Sequence, residues 1–224
     1  MSSVKKVIVL AAGKSLQLDG ANKVLIRHPS DGRTVLDYII EAFAGKEITV
    51  VVGFSAIQIM QAYPKLNYVI NPNWALTNNA MSLGLALDES PSYVVSGDIF
   101  LSKKLIDRLD AEVADMALTR LTENRVLTSI HCVTDELENI TDVYQGPVRS
   151  TKHPESTGIF KISDGAALRE WKRRCTQHAN LFAGQLIPNQ IIPIKAVDTK
   201  DDVISEINTP IDYLNLMYEF QGHK

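Results

Sequence analysis

The sequence predicts an α/β protein built on a doubly wound, mixed but mostly parallel sheet, with an antiparallel extension in its second half. Three observations carry this. Short apolar runs alternate with helical patterns as far as Asp98. Each early run is apolar at consecutive positions, as a strand covered on both faces must be. After Asp98 the rhythm changes to segments that read as antiparallel strands. Ligands of such open sheets bind at the carboxyl ends of the strands.

In order, VIVLAA (7–12) reads as a strand, TVLDYIIEAFAG (34–45) as a helix, ITVVVGF (48–54) as a strand and SAIQIMQAY (55–63) as a helix. NYVIN (67–71) is a short strand, Asn78–Leu87 a helix and YVVSGD (93–98) a buried strand. DMALTRL (115–121) and RVLTSIHCV (125–133) flank the turn-like Thr122-Glu123-Asn124, which predicts a hairpin. STGIFKI (156–162) is a strand, 164–175 a charged helix, QIIPIKAV (190–197) a late strand, and 209–220 a terminal helix opened by Pro210.

With 224 residues, 45% hydrophobic and 22% charged, the chain can bury one core. It is expected to form one domain over 1–224, with halves 1–112 and 113–224; two half-domains are the alternative. A net charge of -3 lacks the basic excess that binding a phosphate backbone relies on, so no nucleic-acid partner is expected. The 7–12 run is too short for a signal core or a membrane span, which predicts a cytoplasmic protein with no membrane partner. Cys132 and Cys175 have no metal-ligand spacing and read as reduced thiols. The five His are scattered, and none is assigned a catalytic role.

VIVLAAGKS invites a P-loop reading, but the Gly required five residues before Gly13 is Ile8, inside the strand. Nothing reads GxGxxG either. What remains is a strand, small residues, a polar loop, and Asn22-Lys23 entering an apolar run. This opening resembles that of the nucleotidyltransferase superfamily with a Rossmann-like core, Leu-Ala-Ala-Gly-x-Gly-x-Arg followed later by Pro-Lys. Leu10, Ala11, Ala12, Gly13 and Lys23 match; Ser15, Gln17 and Asn22 stand where Gly, Arg and Pro are usual. Asn-Lys also occurs in relatives that act on molybdenum cofactor. The resemblance implies that Leu10, Ala11, Ala12, Gly13, Lys14 and Ser15 approach a triphosphate through small residues and backbone N–H groups, and that Lys23 compensates charge at the attacked phosphorus.

Three further segments resemble the same superfamily, in its order. NPNWALTNNAMSLGLAL (71–87) is similar to the base-reading segment of small cytidylyltransferases of the phosphocholine type, which implies nucleotide contacts from Asn78, Asn79 and Ser82 and from an exposed helix N-terminus. Plain helix capping is the alternative there. SGDIFLS (96–102) ends a buried strand on Gly97-Asp98, where a carboxylate wants a cation; the resemblance implies that Asp98 binds Mg²⁺, which makes Mg²⁺ the expected cofactor. SEINTPIDYL (205–214) resembles the carboxy-terminal segment that supplies a second metal ligand, either Asn208 or Glu206. On this reading 1–112 is the nucleotide-binding half and 113–224 the acceptor-binding half.

The implied partners are CTP and a small anionic acceptor, and a homodimer is left open. A phosphate monoester has a second pKa of about 6 and needs no strong general base, so catalysis would rest on alignment by Lys23 and Asp98. GPVRSTKHPESTGIFKIS (146–163) is expected to face the acceptor through Arg149, Lys152, Glu155 and Thr157, a solvated loop being the alternative. The sequence thus implies a cytidylyltransferase acting on a phosphonate or phosphocholine-like acceptor. A molybdenum-cofactor or sugar-1-phosphate nucleotidyltransferase, or an idle nucleotide-binding module, are the alternatives.

Overall fold

The structure is a computed structural model that describes residues 4–122, 125, 127–200, 202 and 204–221. Strand β1 (Lys6–Ala11) is followed by α1 (Val35–Ala42), β2 (Glu47–Val52), α2 (Ala56–Ala62), β3 (Asn67–Ile70), α3 (Asn79–Ala86) and β4 (Ser92–Ser96). Next come β5 (Ile99–Phe100), α4 (Lys103–Ala111), β6 (Met116–Arg120), β7 (Ile130–Thr134), β8 (Ile140–Gln145) and β9 (Glu155–Ile162). The chain closes with α5 (Gly165–Gln177), β10 (Lys195–Asp198), β11 (Ser205–Glu206) and α6 (Pro210–Gln221).

The main sheet runs β10-β6-β9-β4-β1-β2-β3, with β7 joined to β9 and carrying β8. Pairs β2·β3, β1·β2, β1·β4 and β6·β10 are parallel, and β9 lies antiparallel between β4 and β6. This is the mixed, mostly parallel α/β sheet expected, and both halves of the chain contribute to it. Alternation along β1 sorts its side chains: Val7 and Val9 pack with α1 and α4 on one face, Ile8 with α3 and α5 on the other. Local signals set the helix starts. Thr34 and Asp37 form a capping box for α1, and Ser102 and Asp164 cap α4 and α5. Lys161, buried in β9, donates to Leu109 O at 2.7 Å and satisfies a carbonyl at the end of α4.

The hairpin expected of 115–121 and 125–133 does not form. β6 pairs with β9 and β10, whereas β7 pairs with β8, a polar strand that carries no apolar alternation in sequence. The real turn lies at 135–139, where Asp135 Oδ1 accepts from the N–H groups of Leu137 and Asn139, and Glu138 takes φ +63°. Glu123 and Asn124 of the expected turn lie outside the described residues. The late strand covers only Lys195–Asp198, since 189–192 turns and Pro193 cannot donate to a ladder. Helix α4 is not expected from its mostly charged sequence, yet Leu105, Ile106 and Leu109 give it one buried face.

Candidate active site

The strand ends β1 and β4 open into a cleft of about 280 Å³ lined by Leu10, Ala11, Ala12, Gly13, Lys14, Ser15, Asn78, Asn79, Ser82 and Gly97, with Asn71, Trp74 and Phe182. Every residue expected to touch the nucleotide is in this wall. Gly97 is required by packing: a Cβ there would lie 2.7 Å from Leu10 O. At Gly13 a Cβ would meet no protein atom within 4 Å, so its missing side chain leaves room in the cleft.

The sequence departures have local explanations. Asn22 donates through Nδ2 to Ala11 O and Phe54 O, both at 3.0 Å, and its Oδ1 accepts from Val24 N. It stitches the turn bearing Lys23 to the end of β1 and to Phe54 just after β2. Ser15 has φ -84°, a conformation any residue adopts, so glycine is not demanded there. Gln17 is exposed and lines neither this cleft nor the second.

The helix N-terminus beside the cleft is not open, contrary to expectation. Asn78 N donates to Ala179 O, Asn79 N to Asn78 Oδ1, and Ala80 N to Leu181 O, so the segment after α5 closes over the start of α3. What this segment offers the cleft is side chains. Asn79 Oδ1 accepts from Ala183 N at 2.7 Å, which directs its amide nitrogen elsewhere; Asn71 bonds Ser82 Oγ and Thr77 Oγ1. Trp74 packs on Gly53, where a Cβ would sit 2.6 Å from Trp74 Cβ, and its ring lies tilted at 56° to that of Phe54, 5.3 Å between centroids.

A second cleft, of about 300 Å³, shares Leu10, Lys23, Asn79, Ser96, Asp98 and Phe182 with the first. Its own wall holds Thr128, Ser129, Glu155, Ser156, Thr157, Gly158, Glu206 and Asn208. A register shift in the β6·β9 ladder between Ala117 and Thr119 brings Ser156 to Gly158 to this wall, with Gly158 at φ +80°. Thr157 Oγ1 is committed to Leu118 O, and Glu155 accepts from Ser129 Oγ at 2.6 Å and Arg120 Nε at 3.3 Å. Arg149 and Lys152 do not reach either cleft. Both are exposed, and Arg149 stacks 4.1 Å over Tyr144, because 146–153 turns along the outer edge before β9 begins.

At the shared wall Lys23 Nζ donates to Asp98 Oδ2 at 3.0 Å and to Asn208 Oδ1. Residues more than a hundred positions apart meet because β11 pairs antiparallel with β5, Glu206 opposite Ile99, and Ile207 N donates to Asp98 O at 3.0 Å. Glu206 accepts from Asn208 Nδ2 at 2.7 Å and from Arg120 Nη2 at 2.9 Å. Burial, with the Asp98 carboxylate adding to it, pushes the Glu206 carboxyl up to about 7. Asp98 Oδ1 is buried with no hydrogen-bond partner in the described structure. An orphaned carboxylate oxygen beside Asn208 fits a hard cation. Among the described residues no three Asp, Glu, His or Cys side chains converge, so the set suits Mg²⁺, which takes one or two protein ligands plus substrate oxygens, better than a metal in an all-protein cage.

Sequence reasoning missed Trp74, Phe182, Ser96, Ser129 and Arg120. Trp74 is the one aromatic of segment 71–87 and Ser96 directly precedes Gly97-Asp98, so both had a local signal; Phe182, Ser129 and Arg120 had none, since strand register and the closure after α5 place them.

Among solved structures, CTP:phosphocholine cytidylyltransferase (LicC) from Streptococcus pneumoniae is similar at TM-score 0.76 and 19% identity, covering 96% of this chain and 98% of that one. Inositol-1-phosphate CTP transferase from T. maritima is similar at 0.72 and 16%, over 98% and 97%. A putative glucose-1-phosphate thymidylyltransferase from Bacillus anthracis is similar at 0.75 and 13%, over 96% and 94%. These likenesses establish the fold. No curated protein sequence matches. Among the described residues no helix is long and apolar enough to cross a membrane. The MobA-like NTP transferase domain matches residues 7–161, well over half of the chain, and the protein belongs to that nucleotidyltransferase family.

Proposed function

We propose that the protein is a Mg²⁺-dependent cytidylyltransferase that transfers CMP from CTP to a small phosphate or phosphonate monoester and releases pyrophosphate. The observation that carries the reading is the Lys23–Asp98 pair on the wall common to two clefts, with one Asp98 oxygen buried and unpartnered. A donor in the first cleft and an acceptor in the second would meet across that wall, and holding two reactants in line is itself a large part of catalysis.

Asp98 and Asn208 would hold Mg²⁺ together with triphosphate oxygens, and the bound ion would offset charge on them. Lys23, whose ammonium keeps a third N–H beyond those given to Asp98 and Asn208, donates to the α-phosphoryl oxygens as the acceptor oxygen attacks and the bond to pyrophosphate breaks. Ala11, Ala12 and Gly13 leave the backbone open to the phosphates. Trp74 supplies an apolar face for the base, and the amides of Asn78 and Asn79 supply edges that suit cytosine. Both CTP-using structural neighbours agree with that choice of base. Glu206 and Glu155 make the acceptor wall acidic, with Arg120 between them, which suits an acceptor whose tail is a primary amine or hydroxyl, such as 2-aminoethylphosphonate, over a hexose 1-phosphate.

Pyrophosphate release measured with four NTPs, with and without Mg²⁺, against 2-aminoethylphosphonate, phosphocholine and glucose 1-phosphate tests the reading. Preference for CTP with an acyclic acceptor, lost in Asp98→Ala, is the expected result. Turnover with GTP equal to that with CTP would instead favour the molybdenum-cofactor branch. Best activity on glucose 1-phosphate would move the acceptor to the sugar-phosphate class, and full activity in excess chelator would remove the metal.

A further inference from the structure

Besides its bond to Asp98, Lys23 ends an unbroken chain of hydrogen bonds that starts on the far wall of the acceptor cleft. Ser129 Oγ donates to Glu155 Oε1 at 2.6 Å, and Arg120 spans from Glu155 Oε2, through Nε at 3.3 Å, to Glu206 Oε2, through Nη2 at 2.9 Å. Glu206 Oε1 accepts from Asn208 Nδ2 at 2.7 Å, and Asn208 Oδ1 accepts from Lys23 Nζ. Each link constrains the next. An amide has one donor end and one acceptor end, so Asn208 can present Oδ1 to Lys23 only while Glu206 holds its Nδ2 on the opposite side. Glu206 in turn is fixed by a guanidinium already anchored at Glu155, since Arg120 and Glu155 are directly opposite in the β6·β9 ladder.

We propose that Arg120, which lines neither cleft, is a positioning residue for nucleotidyl transfer, orienting Glu206 and Asn208 so that Lys23 is held at the wall the two clefts share. Arginine suits the position because its planar fork bridges two carboxylates at fixed angles, whereas a lysine ammonium would approach one. Ser129, Glu155, Glu206 and Asn208, four links of the chain, line the acceptor cleft. An occupant of the acceptor cleft would therefore press on the same chain that orients Lys23. This inference rests on the role proposed for Lys23.

The test separates the two. In the first arm, without substrate, the full-length protein is acylated with a limiting N-hydroxysuccinimide ester, and Lys23 modification is quantified by peptide mass spectrometry against the other lysines. Arg120→Gln is expected to raise Lys23 labelling at least threefold, Asn208→Ala likewise, and the double variant no further. In the second arm kcat falls at least tenfold in Arg120→Gln, with KM for CTP within twofold of wild type because Arg120 is outside the nucleotide cleft. Arg120→Lys, which keeps a positive charge against the buried Glu155, serves where the glutamine variant fails to fold, and it is expected to show the same two effects in the same direction. Unchanged Lys23 labelling in a folded Arg120 variant would overturn the inference. So would losses in kcat that multiply independently between Arg120→Gln and Asn208→Ala. A wild type inactive with every NTP would refute the proposed function, while the labelling arm would still decide the positioning role.

Discussion

Gly158→Ala is the perturbation whose cost the structure specifies most closely. Gly158 sits within the β6·β9 register shift at φ +80°, and a Cβ there would lie 2.5 Å from Ser96 Oγ and 3.0 Å from Ser96 Cβ. Two costs follow, with different remedies. The positive φ disfavours any L side chain by about 1–2 kcal/mol. The contact is an overpacking of about 1–3 kcal/mol, at the low end if the hydroxyl rotates away, because the Ser96 Cβ is fixed on β4 between two paired strands. The single variant should therefore lose about 2–5 kcal/mol in urea unfolding followed by circular dichroism. In a Ser96→Gly background the contact vanishes and only the φ cost of about 1–2 kcal/mol remains. Gly158 lines only the acceptor cleft, so the surviving enzyme should show a raised KM for the acceptor with KM for CTP little changed. A variant within about 0.5 kcal/mol of wild type, or an equal penalty in both backgrounds, would refute the argument.

Lys23→Ala should retain the circular dichroism of wild type and lose turnover by about 10²-fold or more, as loss of a preorganised charge contact does; near-normal kcat would remove Lys23 from the chemistry. Asn22→Ala leaves the carbonyls of Ala11 and Phe54 without their donor, and thermal unfolding should show a loss of about 1–3 kcal/mol. An unchanged Tm would mean that the turn before Lys23 is held by other contacts. Cys132 and Cys175 are buried, and burial pushes both thiols up to about 12, so iodoacetamide at pH 8 should modify neither in the native protein and both in urea.

The wall of the first cleft was legible because its signals are local. Leu10 and Ala11 at the end of β1, Ala12 and Gly13 after it, Lys23, the paired Asn78-Asn79 at the start of α3 and Gly97-Asp98 after β4 are each short local motifs, and all line that cleft. What was not legible depends on register and closure. Thr119 and Arg120 face Ser156 and Glu155 only because three residues of β9 pass one of β6, a count no sequence pattern announces. The hairpin reading failed for the same reason. Two β-rich segments around a polar turn predict pairing, but β6 is a central strand with two other partners, and β7 finds its own in a polar strand on the far side of 135–139. Arg149 and Lys152 illustrate the opposite error, since cationic residues next to a functional strand are attractive in sequence, yet a turn between Gln145 and Glu155 carries them to the edge.

The active-site wall is completed late in the chain, and by very little backbone. β5 and β11 contribute two residues each, too short a ribbon to be stable alone, so what holds it is the apolar anchoring on either side. Ile99 and Phe100 are buried within it, Ile207 directly after it and Leu216 on α6 beyond it, all in the cluster that also contains residues of α1 and α4. Docking of that cluster is what sets Asn208 against Lys23 and Glu206 against Arg120. The polar groups of the wall are thus positioned by apolar contacts behind them, on the face of the sheet opposite α3 and α5. The residues proposed to read the base, by contrast, depend on α3 and the closure at 179–183. The two faces of the sheet accordingly position different parts of the site. On the function proposed, the α1–α4–α6 side holds the groups that would act on phosphate and the α3–α5 side those that would select the base, so substitutions in one core should alter turnover and in the other nucleotide preference.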